Sequence, residues 1–331
     1  MGVKLVVAVT DGDWFDHLRA APHLTEVNFW SPSDRSFRAL EPGELFLFKL
    51  HAPRNVIVGG GWFAHATILP CSLAWEAFGE ENGAATLREM RARIARYTKR
   101  SAEDREDFHI GCRILTEPFF LPEQAWIAVD DIWPRNVVSF KTYSTDESDG
   151  MRLWDKVQEA MSAPAMPGFA EPAARYGEPA LVRPRLGQGA FRVLVTDNYL
   201  RTCAVTRERT LPALEAAHIR PFADGGEHEA SNGVLLRRDI HSLFDAGYVT
   251  ITPTLAFEVS RRIKEEFGNG RQYYELHGRG IARPRGPSER PGSRGANMAS
   301  REGVFGMKAA LVAQIVLLVQ NAFSQASAML S

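Results

Sequence analysis

The chain has 331 residues, of which 45% are hydrophobic and 24% are charged, and its formal net charge is -1. This length allows two domains, and the near-neutral charge excludes a nucleic-acid binder that depends on a global positive field. The three cysteines are far apart and form no C-x-x-C pair, which excludes a disulfide framework and indicates a reducing cytoplasm.

The first 150 residues alternate short β-rich runs with turn signals, which predicts a small, mostly antiparallel barrel or curled sheet. The runs are KLVVAVT, EVNFW, ELFLFKL, NVIVGGGWF, CRILTEPFF, WIAVDDIW and NVVSFKTY. Between them, Leu73 to Tyr97 has apolar residues three and four positions apart, so we predict a helix there. Its other face, from Arg88 to Arg100, is rich in arginine. Such a face is typical of a solvated helix, and alternatively of one that contacts phosphates.

Residues 151–187 are predicted to hold a short helix around 153–161 and a Pro/Ala/Gly-rich interdomain linker. The second domain is predicted to span 188–281. Residues 282–331 start with an Arg/Pro/Gly/Ser-rich stretch that we predict to be disordered. They end in an apolar segment with too many polar residues for a membrane span, so we expect a helix packed on the body or a partner, and no membrane partner.

Three histidines and an asparagine are concentrated in the stretch LEAAHIRPFADGGEHEASNGVLLRRDIHSLFDAGY. The pattern predicts a strand ending at His218, a loop with a Gly225-Gly226 turn, a second strand and a short helix, which is a ββα unit. Asn232 follows His218 by 14 positions, and His241 follows Asn232 by nine. Asp245 is four positions after His241, so both side chains should face one cation from the same side of the helix.

This stretch resembles the HNH nucleases, in the subgroup with the motifs AAHIxP and DIHxLFD. The resemblance covers about 186–281 and includes RLGQGAFR, CAVT and NGRQYYELHG. It implies that His218 is the general base that activates water, that Asn232 holds the loop, and that His241 binds a divalent metal ion. We expect Mg²⁺, with Mn²⁺, Co²⁺ or Ni²⁺ as alternatives. Imidazole suits this chemistry because it is a base near neutral pH, and a cation neutralises the charge that grows on a phosphate.

One position departs from the family pattern. Many HNH nucleases carry an Asp or His metal ligand directly before the general base, where this chain has Ala217. We expect Glu215, on the same strand, and Asp245 to complete the metal site. Three arginines of the unit are expected to hold neighbouring phosphates through their bidentate guanidinium groups, namely Arg220, Arg237 and Arg238. His228, in the loop, either contacts phosphate or is simply exposed.

The N-terminal stretch EVNFWSPSDRSFRALEPGELFLFKLHAPRNVIVGGGWFAH resembles the EVE domains of the PUA-like superfamily, over about 1–143. The resemblance implies a reader that takes a flipped, modified base into an aromatic cage, where each stacked base gains about 1–3 kcal/mol. The expected cage walls, each alternatively a core residue, are Trp14, Trp30, Trp62 and Phe63. Asn28 and Ser31 are expected to hydrogen-bond the base edge.

Together these features predict an α+β protein with a PUA-like β-barrel at 1–150, interrupted by a helical insertion and linked to a C-terminal HNH (ββα-metal) nuclease domain. The combination resembles a modification-dependent restriction endonuclease that cuts double-stranded DNA carrying 5-methylcytosine or 5-hydroxymethylcytosine. One HNH site cuts one strand, so we expect a homodimer, in the cytoplasm. Two alternatives are an HNH endonuclease with ordinary sequence preference and, because of Ala217, an inactive protein that only binds modified DNA.

Overall fold

The computed structural model describes residues 2–98, 106–134, 136–162, 181–182, 184–220 and 226–285. The chain divides into two compact units, Met1–Ala190 and Phe191–Ser331. Most of the predicted linker and the chain from residue 286 onward, with its predicted basic and apolar segments, lie outside the described residues. None of the described helices is both long enough and apolar enough to cross a membrane.

The first unit combines one large sheet with four helices in its described part. Its elements are β1 (Lys4–Thr10), α1 (Gly12–Ala20), β2 (Glu26–Ser31), β3 (Leu45–Leu50), β4 (Val56–Pro70), α2 (Cys71–Phe78), α3 (Leu87–Ala95), β5 (His109–Phe120), β6 (Ile127–Ala128), β7 (Phe140–Ser144) and α4 (Ser148–Ser162). The sheet order is β2-β5-β4-β3-β1-β7, with β6 paired to β4, and only the β1–β3 pairing is parallel among these strands. Because β2 and β7 are the two ends of this order, the described strands form an open sheet instead of the predicted closed barrel.

The sheet is buried on both faces at its centre, where β3 reads LFLFKL and has every residue buried. Leu45 and Leu47 share a core with Trp154 of α4. Phe46 and Phe48 are also buried, and they contact other aromatic rings. Since successive side chains of a strand point to opposite faces, α4 covers one face of β3 and an aromatic cluster covers the other.

The helix predicted over residues 73–97 is wrong as a single element. The structure has α2 and α3 there, separated by a 3₁₀ turn at Gly79–Asn82. Gly79 and Gly83 have φ angles of 48° and 76°, and such left-handed backbone is open to glycine but not to a continuing helix. α3 then starts anew, with the Thr86 side chain accepting a hydrogen bond from the Glu89 amide.

Three arginines in or directly after α3 make contacts within the first unit, whereas Arg88 is exposed. Arg93 is buried and donates to the Gly83 carbonyl, and Arg96 pairs with Asp13 at 2.8 Å. Arg91 lies with its guanidinium over the ring of Phe108. These contacts fit neither a simply solvated face nor a row of cations presented to phosphates.

The second unit contains the predicted ββα arrangement. Its elements are α5 (Gln188–Asn198), whose start belongs to the first unit, β8 (Leu214–His218), β9 (Gly233–Arg237), α6 (Arg238–Asp245), β10 (Val249–Ile251), β11 (Phe257–Val259), α7 (Arg262–Phe267) and α8 (Arg271–Tyr274). Phe191, Leu214, Leu235, Ile240 and Phe257 belong to one buried core. This core holds β8, β9 and α6 against each other, and so it fixes the positions of the polar side chains that they carry.

Candidate active site

Main-chain pairing fixes the position of His218. β8 and β9 are antiparallel, and His218, the last residue of β8, lies opposite Gly233, the first residue of β9. Ala217, its neighbour in the strand, is fully buried. Because successive side chains of a strand point to opposite faces, the His218 ring lies on the face away from Ala217.

Two rings lie against His218, and one of them, Phe191, was not assigned to the site from the sequence. Phe191 of α5 stacks on it, with ring centroids 4.0 Å apart and planes at 6°. Nε2 of His218 is 3.1 Å from Nδ1 of His228. Burial lowers the pKa of His218 from 6.5, His228 and His241 lower it further, and Asp245 opposes them. His218 is therefore neutral at pH 7, which is the state that a general base requires.

Asn232 fastens the loop that follows His218. Its Oδ1 accepts a hydrogen bond from the Arg220 amide at 2.9 Å, and its Nδ2 donates to the carbonyls of Arg220 and Glu227 at 3.0 and 3.1 Å. Of the predicted Gly225-Gly226 turn, only Gly226 is among the described residues. A Cβ atom on Gly226 would lie 2.1 Å from the Arg220 carbonyl oxygen, so only glycine fits inside this clamp. Asn232 thus holds the loop, as the family resemblance implies.

α6 brings two of the predicted metal ligands together. Nε2 of His241 lies 3.2 Å from Oδ2 of Asp245, one helical turn further on. Both groups influence the pKa of His218 through their charges, so they lie near its ring. The structure therefore groups His218, His241 and Asp245.

Glu215 occupies a different place from the one we predicted. Its Oε2 is 2.9 Å from Nδ1 of His241, and its Oε1 is 3.1 Å from Nε of Arg238. The two ring nitrogens of an imidazole point in different directions, so Glu215 and Asp245 cannot both share one cation with His241. Glu215 is not among the groups that influence His218. Its contact with Nδ1 of His241 is the one that an outer partner makes when it orients a metal-binding imidazole.

The side chains of His241 and Asp245 suit a hard divalent cation that takes few ligands from the protein. In the part of the chain that the structure describes, no group of three His, Cys, Asp or Glu side chains is arranged to hold a metal ion. His241 and Asp245 nevertheless supply an imidazole nitrogen and a carboxylate. Mg²⁺ is commonly held by one or two protein ligands, with water and substrate phosphate completing its shell. The pair fits such an ion, while Glu215 contacts His241 at its other ring nitrogen.

If Glu215 orients His241, Glu215→Gln should lower Mn²⁺ affinity by about 10- to 100-fold without abolishing it. The amide oxygen can still accept from Nδ1–H, but the negative charge is lost. Titration calorimetry on the DNA-free protein measures this effect, with Glu258→Gln, an exposed residue of β11, as the matched control. Loss of all detectable binding would instead identify Glu215 as a direct ligand, and unchanged affinity would exclude any role for it.

The three predicted phosphate-binding arginines differ in whether they already pair with a carboxylate of the protein. Arg237 makes two bonds to the Asp239 carboxylate, at 2.6 and 2.8 Å, and these hold the pKa of Asp239 below its usual value. Arg238 pairs with Glu215. Arg220 is exposed, and it makes no ion pair with the described residues. Two of the five N–H donors of Arg237 are thus engaged by Asp239. Arg220 is therefore the best candidate of the three for binding phosphate.

The six predicted base-binding residues of the first unit do not form one cage. Trp62 lies opposite Leu45 in the sheet and packs on Trp154 of α4, so it belongs to the core on that face. Phe63 is buried and contacts Phe37. The predictions for Trp62 and Phe63 as cage walls are corrected, because pairing with β3 turns Trp62 toward α4 and packing encloses Phe63.

The remaining four residues lie at or near β2. Trp30 donates from Nε1 to the Asn82 carbonyl at 2.9 Å, and Asn28 donates to the Asn82 side chain at 2.9 Å. Both are buried, so each has a structural partner where we predicted a ligand contact. Ser31 is partly exposed at the end of β2, where its hydroxyl accepts from the Ser33 amide.

Trp14 belongs to a group of rings that the sequence did not single out. It makes edge contacts with Phe29 and Phe48, at centroid distances of 5.4 and 5.0 Å, and Phe29 is 4.8 Å from Phe46. The Nε1 atom of Trp14 and the Oδ1 atom of Asn28 are buried without a hydrogen-bond partner among the described residues. Buried polar atoms are normally paired, and these two are among several such atoms in the described part of the first unit.

A family model described as HNH endonuclease matches residues 203–252. The match spans β8, β9, α6 and β10, and it includes the four residues His218, Asn232, His241 and Asp245. The second unit therefore contains an HNH endonuclease domain, and such a nuclease domain implies DNA binding. No curated protein matches the chain.

Proposed function

We propose that this chain is a metal-dependent DNA endonuclease in which His218 is the general base. The observation that carries the proposal is the grouping of a neutral His218 with His241 and Asp245 inside an HNH endonuclease domain. A phosphodiester is an anion that repels hydroxide, so its hydrolysis needs both a base for water and positive charge on the phosphate. In this grouping His218 can act as the base, and His241 and Asp245 can bind the cation that supplies the positive charge.

His241 and Asp245 would hold the metal ion, for which Mg²⁺ is expected and Mn²⁺, Co²⁺ or Ni²⁺ are alternatives. When bound, it supplies the positive charge that stabilises the scissile phosphate and the leaving 3′ oxygen. Asn232 keeps the loop beside His218 in place, and Glu215 keeps the His241 ring oriented. The exposed Arg220 contacts a neighbouring phosphate through its guanidinium.

The lowered pKa of His218 predicts the pH dependence of this reaction. Only the neutral ring accepts a proton, so the rate should fall as His218 is protonated, with the midpoint of the fall below pH 6.5. Single-turnover rates at saturating metal, measured from about pH 5 to about pH 8, test this expectation. A midpoint at or above pH 6.5 contradicts it.

We further propose that the first unit selects the cleavage site by binding a flipped, modified cytosine. Support comes from the sequence resemblance and from Trp14 and Asn28, whose buried polar atoms lack partners beside the Asn82-Gly83 turn. A base edge could satisfy a free donor and a free acceptor, and the rings near Trp14 offer stacking surfaces worth about 1–3 kcal/mol per base. A double-strand break would require two active sites, hence a homodimer.

Digestion of matched plasmids tests both the proposed endonuclease activity and the proposed selection of modified cytosine. The same plasmid is prepared with unmodified cytosine, with 5-methylcytosine and with 5-hydroxymethylcytosine, and is incubated with the protein and Mg²⁺ or Mn²⁺. We expect cutting only of a modified plasmid. Equal cutting of all three would support an endonuclease with ordinary sequence preference. Binding to modified DNA with no nicking in any metal would instead support an inactive reader.

A further inference from the structure

We propose that Phe191 is a positioning residue for the general base, and that Gly233 leaves the space that Phe191 needs to hold the plane of the His218 imidazole. The inference rests on the proposed endonuclease function and adds two residues to it. Neither residue takes part in the chemistry itself, because Phe191 acts only through His218 and Gly233 only through Phe191.

The stack of the two rings is the first argument. Phe191 lies parallel to the His218 imidazole, with ring centroids 4.0 Å apart and planes at 6°. Phe191 is 1% exposed and belongs to the core that contains Leu214, Leu235 and Ile240, so packing holds its ring in place. Two parallel rings at this separation touch over their faces. The imidazole therefore cannot rotate about its Cβ–Cγ bond without colliding with Phe191.

The plane of the imidazole matters for a general base. The lone pair of a neutral imidazole nitrogen lies in the ring plane, so the plane decides from which direction His218 can accept the proton of a water molecule. Catalytic groups work only when they are held within about 0.5 Å and 10–20° of the productive geometry. Phe191 contacts the face of the ring and not its edge, so it restrains the plane without occupying a nitrogen.

Other restraints on the His218 ring are few. A catalytic histidine is often oriented by a hydrogen bond at its second ring nitrogen. Among the described residues, Nδ1 of His218 has no hydrogen-bond partner, and the polar contact of the ring is the one between Nε2 and His228 at 3.1 Å. A contact at one point of the edge still allows the ring to tilt. The stack on Phe191 removes this freedom.

Gly233 explains how Phe191 comes so close to the strand pair. Gly233 lies opposite His218 in the β8–β9 pairing, and paired residues carry their side chains on the same face of a sheet. A Cβ atom on Gly233 would lie 2.1 Å from Cγ2 of Val195 and 3.0 Å from Cε2 and Cζ of Phe191. Packed carbon atoms do not approach this closely. The Phe191 ring thus fills the space that any other residue opposite His218 would occupy.

The test compares Phe191→Leu with Val195→Ala. Both shorten a buried side chain of α5 in the same core, but only Phe191 stacks on His218. In single-turnover cleavage of a plasmid that the wild-type chain cuts, we expect Phe191→Leu to lower the maximal rate by about 10- to 100-fold. The half-saturating DNA concentration should hardly change, because Phe191 is buried. Val195→Ala should stay within a few-fold of the wild-type rate. Equal losses in both variants, or a wild-type rate in Phe191→Leu, overturn the inference.

A second measurement depends neither on activity nor on the folding of Phe191→Leu. Protons over the face of a phenyl ring are shifted upfield by its ring current. Proton NMR of the intact wild-type chain, without metal or DNA, should therefore show upfield carbon-bound ring protons of His218 with cross-relaxation to the Phe191 ring. The absence of this cross-relaxation overturns the inference even if the wild type cuts DNA. If the wild type cuts no plasmid, the proposed function fails, and the spectrum alone decides whether Phe191 holds the His218 ring.

Discussion

His218→Ala is expected to reduce the single-turnover rate of DNA cleavage by about 10²- to 10⁴-fold, because it removes the proposed general base. DNA affinity should change little, since the neutral ring carries no charge to the phosphates. Removing the ring also removes its stacking on Phe191, which costs about 0.5–1.5 kcal/mol of stability and leaves the domain folded.

Two controls separate loss of chemistry from loss of structure. The thermal unfolding midpoint of His218→Ala shows that the protein is folded at the assay temperature. His51→Ala makes the same substitution at an exposed histidine of the first unit and should keep the wild-type rate. If His218→Ala cuts DNA within a few-fold of the wild-type rate, His218 is not the base.

His241→Ala is expected to have the second large effect, which is the loss of measurable Mn²⁺ binding together with cleavage. The substitution removes the imidazole that faces both Asp245 and Glu215. The loss of affinity should exceed the factor of about 10 to 100 expected for Glu215→Gln, since a direct ligand contributes more than its outer partner. Titration calorimetry without DNA measures metal affinity separately from activity.

Ser242→Ala is the matched control for this prediction, because Ser242 is the next residue of α6 and its hydroxyl bonds only the helix carbonyl of Arg238. It should retain wild-type metal affinity. If His241→Ala and Ser242→Ala bind Mn²⁺ equally well, the cation site lies elsewhere in the chain.

The nuclease unit was largely predictable because its signals are local. A strand ending at His218, a short helix that carries His241 and Asp245, and the four-residue spacing of these two residues each follow from short-range patterns. The predicted helix began too early, since Leu235 and Leu236 belong to β9. The role of Glu215 was not predictable in this way. The contact between Glu215 and Nδ1 of His241 depends on how β8 packs against α6. Such a tertiary contact cannot be read from a local sequence pattern.

In the first unit, the positions of the expected binding residues were not predictable from the sequence. Most of its strands were predicted, yet the residues of the expected cage are separated, because strand register and alternation decide which way each ring points. Trp62 faces α4 because it pairs with Leu45, whereas Phe29 points away from its neighbours Asn28 and Trp30. Long-range pairing of this kind cannot be inferred from one sequence.

We propose above that His218 and the His241-Asp245 pair form one metal-dependent site for phosphodiester hydrolysis. Its most direct test uses metal-stripped protein and supercoiled plasmids that carry 5-methylcytosine, 5-hydroxymethylcytosine or neither. We expect no nicking in EDTA, and nicking once Mg²⁺ or Mn²⁺ exceeds the chelator. Nicking in EDTA, or none on any plasmid with Mg²⁺, Mn²⁺, Co²⁺ or Ni²⁺, would contradict the claim.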